Sequence, residues 1–153
     1  MLLAASLKTG AIIAGAEAAD CNYIYQFGIH IGLAFQLKDD LLDVYGVQEK
    51  FGKVSGGDIV AGKKTYLYLK VLETAGSEAD AFRRLYAAHD LESTEKIARV
   101  KEVFNRLNIE TQTRQLINDY YQKALRDLSA ISLPEEAMES LTEYAAGLME
   151  REN

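Results

Sequence analysis

The sequence predicts an all-α fold from three features. Pro134 is the only proline in 153 residues, so almost nothing interrupts helical hydrogen bonding. Ala, Leu, Glu and Lys, which lose little on entering a helix, are abundant. Apolar residues recur at helical spacing, as in Ile24, Phe27, Ile31, Ala34, Phe35, Leu37, Leu41 and Leu42. With 48% hydrophobic and 26% charged residues, the chain reads as a single helical domain over residues 1–153. A chain of this length buries roughly two-thirds of its unfolded surface, and the composition argues against disorder. All-β architectures are excluded.

The elements follow in order. Residues 2 to 19 read as one helix of small and apolar residues. Its AGA and AEA triplets imitate a secretory leader, but Lys8 and Thr9 fall inside the apolar run, and no basic side chain precedes it. Lys8, Glu17 and Asp20 also divide the segment too closely for a membrane span. The helix starts without a cap residue, as expected of a chain that begins partway through a larger domain. A longer helix spans 22 to 46 and stops at Gly46. Val47 to Gly62, with Gly52, Gly56, Gly57 and Gly62 among Lys and Asp, reads as a long ordered loop. A third helix is expected from about Lys63 to Thr74. Ser77 and Asp80 form a capping box for one ending near His89, and Ser93 or Thr94 starts another that runs to about Leu107. Asn108 marks a break, residues 109 to 130 form a long helix, and Ser132-Leu133-Pro134-Glu135-Glu136 starts the last. Six or seven helices packed in layers result.

Charge and cysteine content narrow the function classes. Lys and Arg total 17 against 23 Asp and Glu, a net charge of 17 − 23 = −6, which argues against nucleic-acid binding. Cys21 is the only cysteine, so no intramolecular disulfide or zinc-type spacing exists, and a reducing, cytoplasmic setting is expected. His30 and His89 are isolated and read as structural or solvated, and the nine tyrosines, including Tyr66, Tyr68, Tyr120 and Tyr121, read as core.

The chemically distinctive segment runs from Gly32 to Gly46, where Asp39, Asp40 and Asp43 interrupt an apolar helix. At 100° per residue, Asp43 lies about 40° from Asp39 after one full turn and Asp40 about 100° away, so the carboxylates share a sector. Two carboxylates ~6 Å apart at an effective dielectric near 20 repel by roughly 3 kcal/mol. A hard divalent cation removes that repulsion: Mg²⁺ takes one or two carboxylates, keeps waters and completes its shell with phosphate oxygens. The competing reading is a solvated acidic face with Lys38 as partner. The loop that follows supplies cations and glycines where a metal-bound diphosphate would need them: Lys53 after Gly52, and Lys63-Lys64-Thr65 after Gly62. A helix beginning near Lys63 would add free N–H groups. The competing reading there is a surface loop whose lysines balance local acids. Gly57-Asp58-Ile59-Val60-Ala61-Gly62-Lys63 imitates a nucleotide-binding P-loop, but Lys64 stands where Ser or Thr should hold Mg²⁺ and no apolar strand precedes it.

Phe35-Gln36-x-x-Asp39-Asp40-x-x-Asp43, then Phe51-Gly52-Lys53, Gly57-Asp58-Ile59 and Gly62-Lys63-Lys64-Thr65, resembles the second aspartate-rich motif and following loop of trans-isoprenyl diphosphate synthases, the polyprenyl synthetase family. The farnesyl and geranylgeranyl diphosphate synthase group is most similar. Upstream, Lys8-Thr9 is similar to the family's Lys-Thr element, and Arg151 resembles its terminal basic residue. The resemblance covers the whole chain but only the family's carboxyl-terminal half. It implies an all-α assembly like the carboxyl-terminal half of the isoprenoid synthase fold, and a Mg²⁺-dependent condensation of isopentenyl diphosphate with an allylic diphosphate. By position, Asp39, Asp40 and Asp43 would hold Mg²⁺ bridging to the allylic diphosphate. Lys8, Lys53 and Lys63 would neutralise its charge, Thr9 and Gln36 would hydrogen-bond near it, and Asp58 would order the loop.

The family carries an earlier aspartate-rich motif on a facing helix, and this chain has no second Asp-Asp pair. Glu135, Glu136 and Glu139 are similarly spaced, but they sit in the first turns of a helix, where acids meet the helix dipole favourably. Two readings follow: half of a synthase, inactive or nearly so alone and self-associated or paired with a complementary half, or a non-catalytic subunit that pairs with a complete synthase.

Overall fold

The computed structural model describes residues 2–46 and 55–150, and among these residues every regular element is helical. The elements are α1 (Leu2–Ile13), α2 (Ala18–Tyr45), α3 (Gly57–Val60), α4 (Tyr66–Thr74), α5 (Ala79–Ala87), α6 (Ser93–Arg106), α7 (Ile109–Ser129) and α8 (Glu135–Glu150). A 3₁₀ turn, Gly76–Glu78, precedes α5. The all-α prediction is met, and no helix among the described residues is long and apolar enough to cross a membrane.

Several boundaries differ from expectation for local reasons. The helix expected over 2–19 stops at Ile13, because Gly15 takes a left-handed φ of 77°. Its N–H donates to the Ile12 carbonyl and that of Ala16 to the Ala11 carbonyl, both at 3.0 Å, which closes the last turn and frees α2 to start at Ala18. The capping box at Ser77 and Asp80 does not form. Asp80 pairs instead with Arg83 at 2.5 Å, and α5 grows directly out of the 3₁₀ turn with no side-chain cap. At α6 the cap is Glu92, whose carboxylate accepts the Thr94 N–H at 2.9 Å. Asn108 sits at a left-handed φ of 53°, where its short polar side chain is tolerated, and separates α6 from α7 as expected.

The chain divides into two compact units, to each of which α2 and α7 contribute a part. The first holds α1, α2 up to Gln36, α7 from Gln115, and α8. Ile24, Phe27 and Ile31 on α2 pack with Ala124 and Leu128 on α7, with Ile131 and with Ala145 on α8. Gly28 lets α1 lie directly on α2: a Cβ there would stand 2.5 Å from the Ala4 Cα. His30, isolated in sequence, lies 2.6 Å from an Asp127 carboxylate oxygen through Nδ1 and stacks on Tyr120. In the second unit α4, α5 and α6 pack on one another and α3 lies against α6, with Phe82 and Phe104 buried and their rings 6.1 Å apart.

Candidate functional site

The candidate site is built in the second unit, around the carboxyl-terminal end of α2. Helical periodicity puts Leu41 and Val44 into the core and leaves Asp40 and Asp43, three residues apart, half-buried on the neighbouring face. Asp39 is exposed. The last carbonyls of any helix lack intrahelical donors. Here Gly56 N–H donates to the Asp43 carbonyl at 2.6 Å, and the Ser55 hydroxyl reaches the carbonyls of Asp43 and Val44 at 3.1 and 3.0 Å. The Lys101 ammonium donates to the Val44 carbonyl at 3.0 Å and lies over the Tyr45 ring. The Tyr45 phenol, pushed up to about 12 by burial, stays protonated and donates to Asn105 at 2.9 Å. The helix end is therefore tied down from α6 and from the segment beginning at Ser55.

That segment then turns back over the carboxylates. Gly56 adopts a left-handed φ of 90°, and α3 follows. A carboxylate oxygen of Asp43 accepts the Asp58 N–H at 2.9 Å, and a Cβ at Gly57 would sit 3.3 Å from the other Asp43 oxygen, a tight contact that glycine at 57 avoids. A carboxylate oxygen of Asp40 accepts the Tyr66 N–H at 3.4 Å. Asp58 pairs with the exposed Lys63, and that contact holds the Lys63 ammonium above its usual value.

Burial pushes both the Asp40 and Asp43 carboxyls up, against the lowering effect of the backbone amides they accept, and the nearby Asp58 carboxylate pushes the same way. Two oxygen donors thus sit partly out of water with their charge incompletely compensated. Carboxylate oxygens suit a hard divalent cation whose shell is completed by water and phosphate. Among the described residues no group of three or more His, Cys, Asp or Glu side chains is arranged to hold a metal ion.

The residues singled out from sequence fall in different places. Asp40, Asp43, Asp58 and Lys63 come together as described. Lys8, Thr9 and Gln36 belong to the first unit. There Lys8 donates to Asn22 at 3.1 Å and lies over the Tyr25 ring, Thr9 donates to the Ala5 carbonyl at 2.8 Å, and Gln36 is exposed on α2. Lys53, with Phe51 and Gly52, lies outside the described residues, as does Arg151. The helix expected to begin near Lys63 begins at Tyr66, and its first amide already donates to the Asp40 carboxylate. Sequence reasoning missed Ser55 and Lys101, whose contacts lie 11 to 57 residues away along the chain, and Tyr86, whose hydroxyl donates to the Lys63 carbonyl 23 residues away.

A sequence profile of the polyprenyl synthetase family matches residues 1–107. A short chain isoprenyl diphosphate synthase of Methanothermobacter thermautotrophicus is 34% identical over 152 residues, covering 99% of this chain and 46% of that protein. Among solved structures, a geranylgeranyl pyrophosphate synthase superposes with a TM-score of 0.87 at 39% identity, over 99% of this chain and 48% of its own. A geranylgeranyl pyrophosphate synthase of Corynebacterium glutamicum, solved with isoprenyl diphosphate and magnesium, gives 0.80 at 31% identity, over 93% and 40%. The chain spans about half the length of the relatives it matches.

Proposed function

The chain belongs to the polyprenyl synthetase family, and from that premise we propose that it forms half of a Mg²⁺-dependent prenyl transfer site that joins isopentenyl diphosphate to an allylic diphosphate. The observation that carries this reading is the half-buried Asp40–Asp43 pair, its carboxyls pushed up by burial and faced by the Asp58–Lys63 segment. A repulsive pair held out of water has a physical reason where a cation is to be bound. Magnesium, when bound, neutralises the departing diphosphate. Asp40 and Asp43, with Asp39 beside them, hold the cation, and Lys63 places positive charge where the leaving group gathers negative charge, lowering the barrier to allylic ionisation. For Lys8, Thr9, Gln36 and Lys53 an assignment to the diphosphate rests on the family motif alone. Asp58 orders the loop through Lys63 and through the hydrogen bond its N–H donates to the Asp43 carboxylate. The double bond of isopentenyl diphosphate then attacks the allylic cation, and a proton is lost.

The chain spans about half the length of its relatives, and we assign the remaining ligands and cavity wall to a complementary polypeptide segment outside these 153 residues, in the cytoplasm. The chain by itself turns over little or no substrate. Calorimetric titration of the purified chain with an allylic diphosphate analogue should show Mg²⁺-dependent binding, lost in Asp40→Asn and weakened in Asp39→Ala with helicity unchanged. Equal binding by wild type and Asp40→Asn would remove the pair from the site. Incorporation of labelled isopentenyl diphosphate should appear only when a polypeptide bearing another aspartate-rich helix is added. Turnover by the chain alone would overturn its assignment as half a site.

A further inference from the structure

We propose that Tyr86 is a positioning residue that holds the Asp58–Lys63 segment, and with it the Lys63 ammonium, over the Asp40–Asp43 pair; this rests on the function proposed above. The Tyr86 hydroxyl donates to the Lys63 carbonyl at 2.7 Å and lies 3.4 Å from the Asp58 carbonyl, while Lys63 N–H donates to the same Asp58 carbonyl at 2.9 Å. One side chain thus stitches the two ends of a segment whose first amide, Asp58 N–H, is bound by Asp43. Ile59, 1% exposed, anchors the middle of the segment, but its carboxyl-terminal end has no such anchor among the described residues: Ala61, Gly62, Lys63 and Lys64 are exposed, and the Lys63 side chain keeps 64% of its surface in solvent.

Tyr86 can serve because it is itself immobilised. It is 4% exposed, with its ring centroid 4.6 Å from that of Tyr68 on α4 and 5.6 Å from that of Phe82 on α5. Lys96 of α6, equally buried, lies 5.8 Å over the ring and donates to the Ala88 carbonyl at 3.1 Å. Three helices therefore fix one hydroxyl. Burial, then the Asp58 and Asp43 carboxylates, push the phenol well above its ordinary value, so the hydroxyl remains a donor at any working pH. A buried tyrosine with a satisfied hydroxyl is common in helical cores. What separates Tyr86 from that ordinary case is its acceptors: two backbone carbonyls of the segment that carries the site's exposed cation.

Tyr86→Phe deletes the oxygen and keeps the ring. The probe is inorganic diphosphate with Mg²⁺, titrated into the 153-residue chain as wild type, Tyr86→Phe, Lys63→Ala and the double variant, with amide hydrogen exchange read in parallel. Tyr86→Phe should retain helicity, exchange the Asp58 and Lys63 amides about tenfold faster, and bind diphosphate about five- to tenfold more weakly, as expected for one lost hydrogen bond. Because Tyr86 acts through Lys63, the double variant should bind no more weakly than Lys63→Ala alone. Additive losses, or wild-type affinity in Tyr86→Phe, would overturn the proposal. If wild type binds no diphosphate, the function proposed above fails, and exchange decides the clamp: acceleration confined to Asp58–Lys63 supports it and unchanged exchange overturns it.

Discussion

Gly28→Ala and Gly32→Ala, two identical substitutions one turn apart on α2, should shift stability in opposite directions. Either adds helix propensity worth about 1 kcal/mol. At Gly28 the new Cβ would lie 2.5 Å from the Ala4 Cα, 3.0 Å from its N and 3.1 Å from its Cβ. Ordinary carbon contacts begin near 3.5 Å, so α1 must move by about 1 Å. The nearest atoms are backbone and cannot rotate away, so the cost belongs in the upper part of the roughly 1–3 kcal/mol range for overpacking. The net is a loss of about 1–2 kcal/mol, or a midpoint about 2–8 °C lower for a chain of this size. At Gly32 nothing lies within 4 Å of the added carbon, so the propensity gain stands and the midpoint should rise by about 2–4 °C. Thermal and urea melts followed by circular dichroism measure both. Placing Ala4→Gly in the Gly28→Ala background should rescue little, because the closest clashing atom is the Ala4 Cα. A shift of the same sign in both variants would refute close backbone approach as the reason for glycine at 28.

The acid behaviour of the site yields two further outcomes and the aromatic core a third. Burial raises Asp40 and Asp43 above 3.8, so between that value and their folded ones the native state holds more protons than the unfolded state. Metal-free stability should fall as pH rises through that window and level off above it, with a shallower fall in Asp40→Asn; urea midpoints across weakly acidic pH test this, and a rise through the window would contradict it. Divalent-cation affinity should drop as pH falls into the same window, which a calorimetric titration can follow. Phe104 is 1% exposed against Phe82, so Phe104→Ala should cost about 3–5 kcal/mol in a urea melt, and a loss below about 1 kcal/mol would mean that the α5–α6 contact is not central to the second unit.

Helix existence was legible where a single face governs. The spacing of Ile24, Phe27 and Ile31 placed them together, and all three are buried in one cluster. Asn108 was readable as a break because few non-glycine residues enter the left-handed region easily, and it does so here. Boundaries failed where the deciding interaction was not in the local pattern. Nothing in residues 2–19 distinguishes Gly15 from Gly10, yet Gly10 continues α1 and Gly15 ends it, because the Gly15 amide closes onto the Ile12 carbonyl and the Ala16 amide onto that of Ala11. The Ser77–Asp80 pairing was equally good on paper, but Arg83 three residues on competes for the same carboxylate with a charged donor.

The site divides along the same line. Asp40 and Asp43 stand out in the sequence because one helix turn relates them and like charges so close need a reason. Their environment was not found, because it is made by partners far along the chain: Asp58 N–H on Asp43, Tyr66 N–H on Asp40, Lys101 on Val44. These partners also explain why the helix end tolerates the pair. Asp43 is bound three times by the following segment, through its carbonyl to Ser55 and Gly56 and through its carboxylate to Asp58, so the carboxylate that weakens the fold electrostatically also anchors the segment carrying Lys63. Removing the charge but keeping the acceptor, as in Asp43→Asn, separates the two roles. The segment keeps its amide bond while the repulsion from Asp58 disappears, so the metal-free chain should gain stability and lose its response to Mg²⁺ and diphosphate together. A scaffold would show only the gain.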